Sequence, residues 1–263
     1  MFAEPVRGRV LLGATQRERW NALGNEHERR RFARSRAAVQ DVVAEFLETS
    51  GLDLGATVIG SGAPHADLVL DARCPTCGGP HGPLTLAGTE RTSRRSSRSL
   101  RSPRSAAPSV SLSASEEAIV VAVSDDARLG VDVDVLFSAR RGVGSDDVAQ
   151  RVRHVASVLG IDAGAERDVL QRWTRVEAVL KADGRGLRVD PREVSFMDDD
   201  HDHDDHDYDD HNHDYDDHNH GGAVPVTGLS RWRAIVRDDV DTVYHGSDLA
   251  VGPDRVGAVA RFA

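Results

Sequence analysis

The sequence predicts an α+β fold. Apolar residues recur at helical spacing in three long segments. Short alternating or continuous apolar runs read as strands, and these cluster toward the end of the chain instead of alternating regularly with the helices. A chain of 263 residues accommodates one large domain or two small fused ones, and 39% hydrophobic content supports a core.

The first helix is expected over Glu28–Leu47, where Phe32, Val39, Val43, Phe46 and Leu47 share a face. Leu52–Ile59 and Ala66–Asp71 read as short strands, and Cys74–Gly82 (CPTCGGPHG) as a turn-rich knuckle. Val110–Val123 reads as two short strands or one bent one, and Gly130–Leu136 as a strand. Ser145–Leu159 is a helix with Val148, Val152, Val155 and Leu159 on one stripe and Gly160 at its end. A further helix covers Ala165–Asp183 and stops at Gly184. Strands are expected near 230–236, 242–244 and 255–262.

Two low-complexity tracts interrupt this pattern. Residues 89–108, rich in Ser, Arg and Pro, hold nothing that builds a core and read as a solvated linker between a front half (1–88) and a back half (109–263). The six arginines of the tract admit RNA binding, but no aromatic residue accompanies them for base stacking. Residues 198–220 hold twelve Asp and seven His, and DYDDHNH at 207–213 repeats at 214–220. Imidazoles and carboxylates in that number suit a divalent-metal buffer. A recent expansion forming a disordered surface insertion, with no apolar residue to order it, accounts for the same repeat.

The formal net charge of −10 comes from that second tract, because its twelve aspartates exceed it and the remainder is slightly basic. An acidic total therefore identifies no partner. Met1–Ala14 shows no apolar run with a cleavage site, and no stretch suits a membrane span. Cys74 and Cys77 are the two cysteines, too few for a disulfide framework, so a reducing cytoplasm is expected. With His81 they form C-x2-C-x3-H, which is either a zinc knuckle lacking an evident fourth ligand or a tight turn with buried thiols.

Chemistry concentrates in the back half. In Gly130–Leu136 (GVDVDVL) the valines point one way, and Asp132 and Asp134 point the other, about 7 Å apart along the strand. Two such carboxylates repel unless a cation joins them, and Mg²⁺ takes oxygen ligands of this kind. A solvent-facing edge strand gives the same pattern. On the second of the two helices beyond this strand, Trp173, Glu177 and Lys181 fall at i, i+4, i+8 beside an apolar stripe of Val169, Val176 and Leu180. That places a third carboxylate and a lysine at the border of a buried face, either as a cleft wall or as a surface ion pair.

GVDVDV, then WTRVEAVLKADGRGL, with 45 residues from Asp132 to Glu177, resembles the paired signature motifs of Sfp-type 4′-phosphopantetheinyl transferases. CPTCGGPHG, the basic Arg29–Arg36 (RRRFARSR) and Ser109–Ser115 (SVSLSAS) are similar to further stretches of that family. The resemblance implies two similar α+β halves packed as a pseudo-dimer around coenzyme A. It implies Mg²⁺ on Asp132, Asp134 and Glu177, with Glu177 and Lys181 catalytic and Arg31, Arg36, His81, Ser113 and Lys181 on coenzyme A. The implied reaction moves the phosphopantetheine arm onto a serine of an acyl- or peptidyl-carrier protein (holo-carrier synthase activity) in fatty-acid, polyketide or non-ribosomal peptide systems. A cytoplasmic monomer without nucleic-acid or membrane partners is expected. Ala114, Val176 and Pro83 stand where the family usually has histidine, lysine and a basic residue, so three positive charges near coenzyme A are missing. A degenerate member that binds without turnover and a His-rich metal-storage protein are the competing expectations.

Overall fold

The computed structural model describes residues 10–50, 68–88, 108–116, 118–125, 128–197 and 230–262. It is a mixed α+β structure. The front part contains β1 (Val10–Leu12), α1 (Ala14–Ala22), α2 (Glu26–Ser50), β2 (Leu68–Asp71) and β3 (Thr85–Gly88). A hairpin comes next, β4 (Ser109–Ser115) and β5 (Ala118–Ser124). The back part contains β6 (Leu129–Val135), α3 (Ser145–Leu159), α4 (Glu166–Asp183), β7 (Val194–Met197), β8 (Arg231–Val236), β9 (Asp239–Asp248) and β10 (Arg255–Phe262).

The front sheet has the order β1-β2-β3, with β1 parallel and β3 antiparallel to β2. Val39 and Val43 of α2 bury against Leu70 of β2 and Leu86 of β3. Val110 of β4 belongs to the same buried cluster. The boundary expected at 108/109 is thus one of composition, because the hairpin beyond it completes the front core. The expected linker, apart from Pro108, lies outside the described residues, as do the Asp/His tract and the expected strand Leu52–Ile59.

The back sheet is antiparallel, in the order β6-β10-β9-β8-β7. Helix α4 lies on it and buries Val176, Val179 and Leu180 against Trp232, Ala234, Tyr244 and Ala258. Helix α3 packs beside α4 through Val152 and Ala156, which meet Val169, Leu170, Phe137 and Val256. The floor beneath α4 is made of small residues. Gly130 pairs with Ala260, and Asp132 with Ala258, so these four share the face that α4 covers. At Gly130 the helix backbone comes so near that a Cβ there would lie 2.0 Å from the Ala178 carbonyl oxygen and 2.5 Å from the Ala182 nitrogen.

Strand β6 is an edge of its sheet, and an edge exposes unpaired amides. Strand β4 covers it with serine side chains instead of a backbone ladder. The Val131 N–H donates to Ser111 Oγ at 3.0 Å, and the Val135 N–H to Ser115 Oγ at 3.4 Å. Ser113 lies between them and reaches Asp132. Three serines at alternating positions of β4 therefore face β6.

Replacing Gly130 by alanine is expected to destabilise the protein by about 3 kcal/mol or more, because the added methyl meets helix backbone and not a movable side chain. Urea unfolding of Gly130→Ala against the parent chain measures this. An unchanged midpoint would contradict the packing described.

Candidate functional site

The close seat of α4 over Gly130 fixes where the next charged groups meet. Asp132 is the next inward residue of β6, and Lys181, one turn past Glu177, hangs over it. Lys181 Nζ lies 2.6 Å from Asp132 Oδ1 and also donates to the Val131 carbonyl at 3.0 Å. Ser113 Oγ donates to the same Asp132 oxygen at 2.7 Å. Asp132 is buried, at 7% exposure. Burial raises its pKa despite the lysine and the serine, and the neighbouring Asp134 charge adds to the rise.

Glu177 is half-buried within electrostatic reach of Lys181 and Asp132. Burial raises its pKa, Lys181 opposes this, and the Asp132 charge raises it further. No described residue gives Glu177 a hydrogen bond or ion pair, and Lys181 and Asp132 act on it through charge alone. Asp134 turns away to Arg140, whose Nη2 is 2.7 Å from its Oδ1, and accepts from Ser115 Oγ at 2.6 Å. Of the three expected metal ligands, then, Asp132 is bound to Lys181, Glu177 lies within its electrostatic reach, and Asp134 is held by an arginine of its own. The three do not converge as a cluster of ligand atoms. Among the described residues, Cys74, Cys77 and His81 do.

Whether Mg²⁺ suits this site is decided by the donors. Asp134 is held by Arg140. Asp132 and Glu177 offer hard carboxylate oxygens, one oxygen of Asp132 being already held by Lys181 and Ser113, and such oxygens are the donors a hard divalent cation takes.

The site opens on a cleft of about 1190 Å³ between α2 and the Cys74–Leu86 segment on one side and α4 and β4 on the other. Arg19, Arg31, Arg36, Arg128, Lys181, Arg185 and Arg188 line it, against Glu28, Glu177 and Asp183. Arg36 is the most confined of these cations. It is buried, its Nε donates to Gln16 Oε1 at 2.6 Å, its Nη1 donates to Ser35 Oγ at 3.1 Å, and its guanidinium stacks 4.3 Å from the Phe32 ring centre. No described carboxylate pairs with it. Burial, and then the Arg19 charge, bring its pKa down to about 10. A buried guanidinium without a carboxylate favours an anionic ligand.

Other expected residues divide. Arg31 reaches the cleft. His81 also lines it, but its Nε2 lies 3.3 Å from Cys77 Sγ. Ser113, expected on coenzyme A, instead commits its hydroxyl to Asp132. Val176 is in the core, and Arg175 beside it forms a bidentate pair with Asp248 at 2.8 and 2.6 Å, so neither supplies the cation that is missing there. Ala114 is exposed on the cleft wall. Arg140, Ser111 and Ser115 are neighbours of the aspartates that sequence reasoning missed, while Ser113 was singled out for a different contact. The S-x-S-x-S spacing was the available signal, whereas Arg140 sits beside a short 3-10 turn with no pattern of its own.

No protein-family model matches the chain, and no curated protein matches it.

Replacing Lys181 by methionine strands Asp132 in a buried position and is expected to cost roughly 3 kcal/mol in the presence of a chelator. Without the lysine the folded-state pKa of Asp132 rises further, so the folded protein holds a proton that the unfolded chain releases. Stability then falls as pH rises through that interval, and the penalty is larger at pH 8 than at pH 5. Denaturant curves at the two pH values measure this. Asp132→Asn in the same background is expected to return part of the loss.

Proposed function

We propose that the chain is a Mg²⁺-dependent 4′-phosphopantetheinyl transferase acting on an acyl- or peptidyl-carrier protein. The observation that carries the proposal is Glu177 and Lys181 on the wall of a cation-lined cleft large enough for coenzyme A, with the buried Asp132 directly behind the lysine. Its motif residues are those that the sequence resemblance singles out. A long helix on a sheet in the front part, α2, and another in the back part, α4, agree with the two-halved pseudo-dimer of this reading.

In this reading the diphosphate of coenzyme A lies against Lys181, and Arg31 and Arg36 receive phosphate charge from the α2 side. Asp132 and Glu177 would hold Mg²⁺, which when bound neutralises charge on the diphosphate. Ser113 and β6 fix Asp132 in place. Glu177 takes the proton of the carrier serine, directly or through a water. The serine oxygen forms a bond to the phosphorus bearing the pantetheine arm. The bond from that phosphorus to the bridging oxygen breaks, and adenosine 3′,5′-bisphosphate leaves with the electron pair. Localisation follows the substrates, so the cytoplasm is proposed.

One observation favours a second reading, a member that binds coenzyme A or a carrier without turnover. Val176 is buried, Arg175 is tied to Asp248, and Ala114 offers the cleft a methyl group, so the cations expected of the family at these positions are not restored nearby.

Incubation with coenzyme A, Mg²⁺ and several apo carrier proteins is expected to add one phosphopantetheinyl mass to a carrier, read by mass spectrometry. A chelator should abolish the addition. Glu177→Gln and Asp132→Asn are expected to lower kcat/KM by about 100-fold or more. Coenzyme A binding without any mass gain selects the second reading, and neither binding nor transfer defeats both.

A further inference from the structure

Residues 74–82 form a small closed unit whose backbone explains its side chains. Cys74 N–H donates to the Gly79 carbonyl at 2.8 Å, and Gly78 N–H to the Cys74 carbonyl at 2.9 Å. Gly78 takes a left-handed conformation, φ 73°, which lets the chain double back immediately after Cys77. Gly82 N–H donates to the Ala72 carbonyl at 2.9 Å. A Cβ at Gly82 would lie 2.2 Å from the Arg73 carbonyl oxygen, so this approach requires glycine. The two closures return His81 over the turn that holds the cysteines.

As a result, Cys74 Sγ, Cys77 Sγ and an imidazole nitrogen of His81 lie within 4.8 Å of one another, and Cys77 Sγ is 3.3 Å from His81 Nε2. Arg188 Nη1 lies 3.7 Å from the buried Cys74 sulfur. A tight turn with two inert thiols needs neither the histidine folded back over it nor a guanidinium at the first sulfur. A disulfide would use the two sulfurs and leave the histidine without a purpose.

We propose that Cys74, Cys77 and His81 form a binding site for Zn²⁺ or a similarly soft divalent cation, with three protein ligands and a fourth position filled by solvent or an exogenous ligand. Two sulfurs and one nitrogen select zinc over magnesium, which takes oxygen. Cys77 and His81 are exposed, so the fourth position faces water. The unit and the residue after it also supply Pro75, His81, Gly82 and Pro83 to the large cleft, so the cation braces one wall of that cleft. When metal occupies His81 Nε2, that nitrogen is withdrawn from any cleft ligand. The site stands on its own residues, whether or not the chain transfers phosphopantetheine.

The test is cobalt titration of the full-length, reduced, chelator-stripped protein without oxygen. A near-ultraviolet thiolate-to-cobalt charge-transfer band arises only from sulfur. Cys74 and Cys77 are the two cysteines of the chain, so the seven histidines and twelve aspartates of 198–220 contribute nothing to it. The band is expected to saturate at one cobalt per chain and to disappear when zinc is added. Cys77→Ser should remove it, and His81→Ala should shift its titration to higher cobalt. Reduced parent protein without the band, or Cys77→Ser retaining it, overturns the site. A titration unmoved by His81→Ala overturns the three-ligand arrangement. The parent measurement decides even if a variant fails to fold.

Discussion

The approach of α4 to β6 over Gly130 is the constraint on which the rest of the back half depends. Two segments 45 residues apart carry the site, one on a strand and one on a helix, and neither can place its groups alone. The helix is lowered onto a floor of Gly130, Ala258 and Ala260 until its backbone touches the strand. That depth brings the four-carbon stem of Lys181 down to Asp132. A side chain at Gly130 would lift the helix, and the ion pair would open before any charged residue had changed. Rigid elements hold the charged groups, and packing sets the distance between them.

Charge is distributed unevenly around this contact. Asp134 and Arg140 satisfy each other, as do Asp248 and Arg175, where Trp232 Nε1 and Gln171 Nε2 add further donors at 3.1 and 3.0 Å. Such closed sets stabilise a fold and offer nothing to a ligand. Along the cleft the pairing is less complete. Arg36 on the α2 wall has no described carboxylate beside it, and Arg128, Lys181 and Arg188 bring positive charge to the facing wall. Positive charge on both walls suits an anionic ligand between them and is poorly explained as a means of holding the walls together.

How much of this was legible in the sequence depends on where the signal lay. Helices α3 and α4 were readable because each carries a stripe at helical spacing and ends at a glycine. Strand β6 was readable because Val131, Val133 and Val135 alternate with the aspartates. Helix α1 was missed because ATQRERWNA has no apolar stripe, and it is fixed from outside, where Asp71 of β2 accepts from the Thr15 amide at 3.1 Å. Strand β9 extends well beyond 242–244 because Asp239, Val240 and Asp241 are exposed and carry no inward apolar residue, while Asp239 pairs with Val236 and 245–247 pair with both β8 and β10. At the site, Asp132, Glu177 and Lys181 were legible as residue types at meaningful spacing. The division of the aspartates between Lys181 and Arg140 was not, because it depends on which cation the fold brings within reach.

Strands β7 and β8 pair from Val194↔Val236 to Met197↔Arg233, although residues 198–230 separate them along the chain. Closing a long connection costs only slightly more than closing a short one, since the entropy grows with the logarithm of its length. Strand β7 lies at the sheet margin farthest from β6, so material added after Met197 enters the chain far from the Asp132 face. The hairpin is in effect a docking port in the gene. A sequence can lengthen, duplicate or accept foreign cargo there while the geometry around Asp132, fixed at the opposite margin of the same sheet, remains under separate selection.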